Sequence, residues 1–569
     1  MKTRYILTVA LAVVAFTGCQ KEKVDSNRLQ LIAEGMGSSG AKLAVNNEKS
    51  YWVADENVRI NDVEGKVVVN PNEDGSAYVN KSDVVSAPYC GVYPASIYSS
   101  NSTTTYTLNL PDSYQYTTTT FNGKTMQNLA SPMVAYSTTG NRLYFKHVTA
   151  AIGVQVVNYY GFTVEVDSVV VESNSYKLHG AVTLTMAETP TVVATTTETT
   201  AERRVKMDFS GSAKLRICAG DSAVVQVPVL PVGAGNKFTV KAYVHKKDQA
   251  SVIASFEKTQ ATGGVLGRAK MGYARFTTPG LFSISASKKV IISQGNLMYQ
   301  ASTGTWKFSE TQYGYIGNAS GNTTDTLTRK TQSDWIDLFG WGTSGAPNGN
   351  VYYMPYDAMN NQISEQGKGY GPKNGESYEV DLTGVFDWGY NAISNGGNKN
   401  GVWRTLETGA NMPTEWYYLF NSRATGTYYG KNNARYAKAV VNEVKGVILF
   451  PDEFSAPELS ASSTLTSANI NSSSNFNNTI VLDDWYILEA EGAVFLPCAG
   501  YRNIKPSGIS NTVTMSNVGS EGDYWSCVHS STDKAYGIRI YSSSIITYAS
   551  SSPKDRAYGY SVRLVKEVD

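Results

Sequence analysis

The feature that most constrains this 569-residue chain is an alternation of apolar and polar residues between residue 24 and about residue 277. In the segment 237–244, for example, Phe238, Val240 and Val244 fall on one face and polar residues on the other. Successive side chains of a β-strand point to opposite faces of the sheet, so a period of two predicts half-buried strands. Gly, Asn, Pro and Ser separate these segments, and we recognise no amphipathic helix among them. The pattern predicts β-sandwiches.

Tryptophan divides the chain in two. Trp52 precedes residue 278, and the other eight tryptophans follow it. Loops also lengthen there, and two short helices are predicted at 413–420 and 483–488, the first with Pro at an early position and the second with acidic residues at its start. The fold class is therefore mostly β, with a final α+β domain. The predicted units are a signal peptide (1–18), a tether (19–27), two β-sandwiches (28–160 and 161–277) and the final domain (278–569).

Composition excludes one class of partner. Charged residues make up 17% of the chain, and the formal net charge is +1 at pH 7. A nucleic-acid-binding protein shows a basic face and a high isoelectric point instead. We expect no nucleic-acid partner.

The N-terminus has the pattern of an export signal. Lys2 and Arg4 precede an apolar run over residues 5–16, which is shorter than the ~20 residues that a membrane-spanning helix needs. The segment 16–19, Phe-Thr-Gly-Cys, resembles a bacterial lipobox, which implies lipidation of Cys19 and an outer-membrane or cell-surface location. An ordinary signal peptide is the alternative.

Five short motifs follow one another through about 250 residues of the first half. They are 50–60 (SYWVADENVRI), 93–95 (YPA), 132–136 (PMVAY), 143–148 (LYFKHV) and 178–180 (LHG). In this order they resemble the fimbrillin-like family of Bacteroidales surface lipoproteins, the subunits of type V pili. The resemblance implies transthyretin-like β-sandwiches, assembly with other pilus subunits and location in a fimbrium if the precursor is processed.

A second series of motifs spans nearly 190 residues of the final domain, with an upstream extension. They are 294–297, 337–342, 386–389 (FDWG), 403–406 (WRTL), 414–419 (TEWYYL), 493–497 (AVFLP), 500–502 (GYR), 522–526 (GDYWS), 535–537 (AYG) and 560–565 (YSVRLV). This series resembles the Fibrobacter-type major paralogous domain, which implies a fold similar to C-type lectins and formylglycine-generating enzymes. A shared fold does not carry the activity with it.

The residues that catalysis or metal binding requires are sparse. The four histidines, His147, His179, His245 and His529, do not have zinc-ligand spacing, and His147 lies in an alternating strand, where a structural role is expected. The sequence contains neither a nucleophile elbow nor a phosphate-binding loop. We therefore expect no enzyme activity, no cofactor and no metal.

The aromatic residues of the final domain have two interpretations. Those in the family pattern are expected to form its core, with charged residues as structural partners: Trp403, Glu415, Trp416, Arg502, Trp525 and Arg563. Tyrosine and tryptophan in loops also suit binding to sugar or protein. Six such residues are the candidate ligand-facing aromatics: Trp335, Trp341, Tyr352, Tyr353, Tyr370 and Tyr390.

Two cysteines of the final domain could form a disulfide or remain free thiols. Cys498 and Cys527 stand where the family resemblance implies small residues, and each follows a strand-like segment. They form either a disulfide or two buried free thiols.

The resemblance to pilus subunits implies assembly by strand exchange. A protease removes the first strand of the precursor, and a neighbouring subunit donates a replacement. Here the candidate first strand is 28–33, and Lys42 is the basic residue of the loop that follows it, hence the candidate processing site. A large domain occupies the C-terminus, so we expect a subunit that accepts a strand without donating one, at the tip of a fimbrium. The alternative is an uncut lipoprotein whose final domain binds a host or bacterial glycan or protein.

Overall fold

The computed structural model shows a chain that is mostly β, as the alternation predicts. It describes 28–34, 37–38, 52, 54–69, 77–80, 86–102, 104–121, 124–128, 131–323, 333–345, 379–411, 413–507, 510–547, 553–556 and 558–568.

Strands occur throughout the described part of the chain. Those of the N-terminal part are Arg28–Ala33, Gly37–Ser38, Asn57–Ile60, Val63–Lys66, Val68–Val69, Ala77–Asn80, Tyr89–Tyr93, Tyr98–Asn101, Thr105–Leu110, Ser113–Gln115, Thr117–Phe121, Lys124–Asn128, Met133–Ser137 and Arg142–His147. Those of the middle part are Ala150–Val157, Val164–Ser173, Gly180–Thr185, Arg204–Asp208, Arg216–Ile217, Ser222–Val229, Val232–Asn236, Phe238–Lys246, Gln249–Thr259, Gly264–Leu266 and Lys270–Thr277. Those of the C-terminal part are Leu281–Ser283, Lys289–Ile292, Leu297–Gln300, Thr305–Phe308, Trp335–Ile336, Arg404–Thr405, Tyr436–Val441, Val444–Leu449, Asn478–Ile480, Val494–Pro497, Tyr501–Ser507, Ser510–Ser516, Gly522–His529, Lys534–Tyr541, Ser544–Ile546, Lys554–Asp555 and Leu564–Glu567.

The helices are short. The α-helices are Ser320–Thr323, Glu415–Tyr417 and Leu482–Ala490; Tyr418–Ser422 is a π-helical turn; the 3₁₀ turns are Ala95–Ile97, Ala201–Arg203, Gly384–Phe386, Trp388–Tyr390 and Ser467–Asn469. Both predicted helices are confirmed, although the first begins after Thr414, whose hydroxyl accepts a hydrogen bond from the Tyr417 amide. Within the described residues, none of these helices has the length and apolar character needed to cross a bilayer.

An eight-stranded sheet organises the N-terminal part. Arg28–Ala33 lies inside it, with Arg142–His147 on one side and Ala77–Asn80 on the other. The apolar side chains of these strands form one core around Trp52, whose ring packs edge-on against Tyr93 and Phe145. The only tryptophan before residue 278 is therefore a core residue.

The second core is built mainly by residues 150–276. Its strand Ala150–Val157 pairs antiparallel with Ser222–Val229 and parallel with Lys270–Thr277. The predicted boundary between residues 160 and 161 would assign Ala150–Val157 to the first sandwich, yet its side chains pack in the second core. The division into domains beyond this point stays a prediction.

Residues 281–568, called the head below, contain three buried clusters. One surrounds Trp388 and Trp525, a second surrounds Trp416, and a third surrounds Trp485. Seven of the eight tryptophans that follow residue 278 are buried, and Trp335 is half-buried. The seven buried tryptophans therefore belong to the core of the head and not to its surface.

The head is joined to the middle part by a backbone hydrogen bond, an ion pair and a close approach of two backbone segments. The amide of Gln294 donates to the carbonyl oxygen of Gly161 at 3.0 Å, and the Lys246 ammonium lies 3.0 Å from a Glu489 oxygen. A Cβ atom on Gly161 would stand 1.9 Å from the Ile292 carbonyl oxygen. Only glycine fits at this position, because any side chain would collide with backbone that cannot rotate away.

Replacing Gly161 with alanine is accordingly expected to separate the head from the middle part or to strain both, destabilising the chain by about 1–3 kcal/mol. Thermal unfolding and limited proteolysis near residues 277–281 measure this. The matched control is Gly267→Ala, because a Cβ atom there meets nothing within 4 Å, and it is expected to change stability by no more than about 1 kcal/mol. Equal effects of the two substitutions would contradict the importance of the close contact.

Candidate functional site: the first strand and its groove

The first strand, Arg28–Ala33, occupies an interior place in its sheet. It pairs parallel with Arg142–His147, with Leu31 opposite Leu143, and antiparallel with Ala77–Asn80, with Leu29 opposite Val79. The strand predicted from the sequence is confirmed with the same bounds. Its loss would leave two facing strand edges with unpaired amides and carbonyls, which is a groove suited to a replacement strand.

Two leucines bind the first strand to the core. Leu29 and Leu31 have no exposed surface, and they pack in the same cluster as Trp52 and Phe145. Burying one leucine side chain contributes about 1.5–3 kcal/mol relative to leaving it in water. The alternation of these leucines with Gln30 and Ile32 fixes which face of the strand points inward.

A polar cluster holds the end of the first strand. The Glu34 carboxylate accepts hydrogen bonds from both terminal nitrogens of Arg268 and, at 3.0 Å, from the backbone amide of His147. The Glu34 amide donates to the Phe145 carbonyl oxygen at 2.8 Å. Lys146 adds a second positive charge, with its ammonium 3.8 Å from the carboxylate. We call Glu34, Lys146, His147 and Arg268 the Glu34 cluster.

Charge within this cluster favours the ionised carboxylate. Burial acts to raise the pKa of Glu34, but the hydrogen bonds from Arg268 and His147 and the charges of Arg268 and Lys146 outweigh it and lower that pKa. Glu34 is therefore an anion held by cations, with its side chain 19% exposed and that of Arg268 20% exposed.

The chain continues from the cluster into a second sheet. Gly37–Ser38 pairs parallel with Lys270 and Met271, next to Arg268. The N-terminal segment therefore contacts two sheets, and the Glu34 cluster lies where it passes from one to the other.

The imidazole of His147 is neutral in this cluster. Its Nε2–H donates to the Glu34 carbonyl oxygen at 2.9 Å, which leaves Nδ1 to accept from the Ser131 hydroxyl at 2.8 Å. Burial lowers the pKa of His147 to about 4; Arg268 also lowers it, and the Glu34 carboxylate opposes them. The structural role expected from the sequence agrees with this arrangement.

Acid is expected to loosen the first strand. The unfolded chain takes up a proton on His147 near pH 6.5, whereas the folded chain does so near pH 4. The contribution of His147 to stability is therefore complete above about pH 6.5 and falls by about 2–3 kcal/mol between pH 7 and pH 4.5. Glu34 adds little in this window, because its stabilising effect is lost only below the ordinary carboxyl pKa of 4.5.

Urea unfolding at pH 7 and pH 4.5, followed by hydrogen exchange of residues 133–147, checks this expectation. The control is His147→Gln, whose amide keeps a donor for the Glu34 carbonyl without titrating. A pH dependence that is the same in this variant and in the natural chain would contradict the assignment to His147.

The last strand of the chain is enclosed by the head. Leu564–Glu567 pairs antiparallel with Lys289–Ile292 on one side and with Arg404–Thr405 on the other. Leu564 and Val565 have no exposed surface. Withdrawing this strand would expose the core of the head.

The structure buries most of the predicted head motif. Trp403, Trp416 and Trp525 are core residues, at 3%, 0% and 0% exposure. Two charged residues of that motif, Arg502 and Arg563, have no exposed surface. A third, Glu415, forms a bidentate pair with Arg404, with both N–O distances at 2.7 Å.

Trp341 was predicted as a ligand-facing residue, and this prediction is wrong. Its side chain has no exposed surface, its indole N–H donates to the Ser526 carbonyl oxygen at 2.7 Å, and the Arg556 guanidinium lies 4.3 Å from its ring. Its apolar area and its one polar atom are both fully used inside the head.

Two of the other predicted ligand-facing aromatics are only half-buried. Trp335 lies in a short strand with the Lys307 ammonium 4.6 Å from its ring, and Tyr390 ends a 3₁₀ turn. Both remain candidates for a ligand surface. The others lie outside the described residues: Tyr352, Tyr353 and Tyr370, together with Cys19 and Lys42.

The disulfide considered between Cys498 and Cys527 is not formed, since both are free thiols. The two cysteines pack in different clusters of the head, Cys498 around Trp416 and Cys527 against the cluster of Trp525. Burial raises the pKa of Cys498 to about 12 and also raises that of Cys527, so neither is a reactive thiolate.

Sequence reasoning missed Glu34 and Arg268, which lie 234 residues apart. The one local signal is the acid that directly follows the strand at Ala33. Across the residues that the structure describes, no group of three or more acidic, histidine or cysteine side chains is arranged to hold a metal ion.

The known proteins that match this chain are found among solved structures. No family model matches the chain, and no curated protein does. A candidate cell adhesion protein from Bacteroides fragilis NCTC 9343 is 13% identical, with 51% of this chain and 100% of that chain covered and a TM-score of 0.24. A candidate cell adhesion protein from Bacteroides ovatus ATCC 8483 is 13% identical, covering 44% and 91%, with a TM-score of 0.23. A fimbrial protein from Bacteroides vulgatus ATCC 8482 is 10% identical, covering 33% and 72%, with a TM-score of 0.20. The function proposed below therefore rests on the residues of this chain.

Proposed function

We propose that this chain is a subunit of a cell-surface fimbrium, placed at its tip, which accepts a strand from a neighbouring subunit and presents the head for attachment. The observation that carries the proposal is the unequal placement of the two terminal strands. Arg28–Ala33 lies between two strands of its sheet and precedes Lys42, the candidate processing site, whereas Leu564–Glu567 is paired on both sides within the head. A subunit built in this way can accept a strand, whereas donating Leu564–Glu567 would open its head.

Cleavage first exposes the groove, and a strand from a neighbouring subunit then fills it. Cleavage after Lys42 separates the first strand from the body of the protein, and release of that strand uncovers the apolar cluster around Leu143 and Phe145. An exposed apolar surface of this kind binds an extended peptide through main-chain hydrogen bonds and side-chain pockets. The lipid at Cys19 leaves with the first strand, which frees the subunit for assembly.

Mass spectrometry of the N-terminus of surface-extracted fimbriae tests this proposal. Material in the fimbriae is expected to begin at Leu43, and a Lys42→Ala variant is expected to stay lipidated at Cys19 and outside the fimbriae. Lipidated Cys19 in all of the material would contradict the proposal and favour an uncut lipoprotein whose head binds a ligand.

Glycan arrays with the full chain, with and without chelator, test the ligand of the head. Binding to a defined sugar would identify a glycan as the target. Uniformly negative arrays would contradict a sugar ligand and direct the search to protein ligands.

A further inference from the structure

Removal of the first strand leaves positive groups behind as well as an apolar groove. Arg268 and Lys146 lose the Glu34 carboxylate, and the backbone amide of His147 loses its acceptor. Glu34 is the carboxylate that both of these cations contact within the described part of the chain. Arg268 keeps its hydrogen bond to the His147 carbonyl oxygen at 3.1 Å but loses its counter-ion. A half-buried cation without a counter-ion is unfavourable, so the vacated groove attracts an anion at this point.

The opposite end of the groove favours a cation. The Arg28 guanidinium stands 4.2 Å from the centre of the Tyr78 ring, in the cation–π arrangement, and Arg28 pairs with Asn80 across the sheet. The first strand is thus positive at its beginning and negative just after its end.

These two charged positions define the register of an incoming strand. Alternating apolar residues alone permit a slip by two residues, because the inward face stays apolar. Positions 28 and 34 lie six residues apart, about 20 Å in extended chain. A strand that slips by two residues moves its carboxylate about 7 Å away from Arg268, so the charges exclude registers that the leucines would allow.

The chain itself supplies few segments with this pattern. A cation, apolar residues one and three positions later and a carboxylate six positions later occur at 28–34 and at 42–48, and nowhere else in the sequence. At the C-terminal strand, Lys566 replaces the second apolar residue of the series that begins at Arg563. Cleavage after Lys42 removes the cation of the series 42–48, so a processed second copy offers the complete pattern neither there nor in its C-terminal strand.

We infer that the groove selects a strand from a different protein chain, one that carries a cation, two alternating apolar residues and a carboxylate at the spacing of Arg28, Leu29, Leu31 and Glu34. Arg268 is the residue that selects the carboxylate. This inference rests on the proposed function, because it describes the partner of the same groove.

Peptide exchange on the full chain tests the inference. A specific protease site is introduced among residues 39–50, the chain is cut, and a fluorescent peptide of residues 28–38 is exchanged into the groove and followed by anisotropy. The Glu34→Gln peptide is expected to bind at least tenfold more weakly. A peptide with Ala33→Glu and Glu34→Ala, which keeps the net charge but moves the carboxylate, is expected to bind as weakly.

The same measurement on the Arg268→Gln protein separates recognition from general peptide stability. There the ratio between the affinities of the natural peptide and the Glu34→Gln peptide is expected to fall below threefold. Equal binding of the two peptides to the natural protein, or an unchanged ratio in Arg268→Gln, overturns the inference and leaves the proposed function standing. Failure of the natural peptide to bind overturns both.

Two further peptides test whether the strand in the groove comes from a second copy of this chain or from a different protein. Peptides of residues 561–569 and 43–48 represent what a processed second copy could offer, and both are expected to bind at least tenfold more weakly than residues 28–38 because each lacks part of the pattern. Binding of either one within threefold would overturn the assignment to a different protein.

Discussion

Replacing Leu31 with aspartate is expected to release the first strand from its sheet. The substitution removes a leucine with no exposed surface and places a carboxylate opposite Leu143 and Ala77. Losing the buried leucine and burying an unpaired charge together destabilise the N-terminal part by more than about 3 kcal/mol. Because the strand lies inside the sheet, the effect extends to both of its neighbours.

Hydrogen-exchange mass spectrometry measures this effect directly. Amides of Arg142–His147 and Ala77–Asn80 are expected to lose protection in Leu31→Asp, whereas the head keeps its own. The matched control is Gln30→Asp, which introduces the same charge one residue earlier on the opposite face and is expected to change stability by about 1 kcal/mol or less. Unchanged protection in Leu31→Asp would show that the first strand does not hold the sheet together.

The sequence predicted this strand well because its information is local. Leu29 and Leu31 alternate with polar or half-buried residues, and Glu34 follows directly, so both the strand and its inward face could be read from seven residues. Its interior place could not be read in this way. The parallel partner of Leu31 is Leu143, more than a hundred residues later, and alternation does not say which strands pair.

The Glu34 cluster escaped prediction for the same physical reason. Arg268 follows a short strand as one of many surface-like arginines, and only the fold brings its guanidinium to Glu34. The aromatic residues of the head were harder still. A tryptophan in a glycine-rich segment suits a ligand surface and a core equally well, and its indole N–H has to find a partner in either case.

Trp341 and Trp335 separate those two roles experimentally. Trp341→Ala is expected to destabilise the head by about 3–5 kcal/mol, because it empties a fully buried site and removes the hydrogen bond to the Ser526 carbonyl oxygen. Trp335→Ala is expected to cost only about 1 kcal/mol, since its half-buried ring contributes mainly the contact with Lys307. Guanidinium unfolding followed by near-ultraviolet circular dichroism measures both variants against the natural chain.

If Trp341→Ala unfolds at the same denaturant concentration as Trp335→Ala, the indole of Trp341 does not support the core. If ligand binding falls in Trp335→Ala while the unfolding midpoint barely moves, Trp335 belongs to the binding face, because only a residue outside the core can affect recognition without affecting stability.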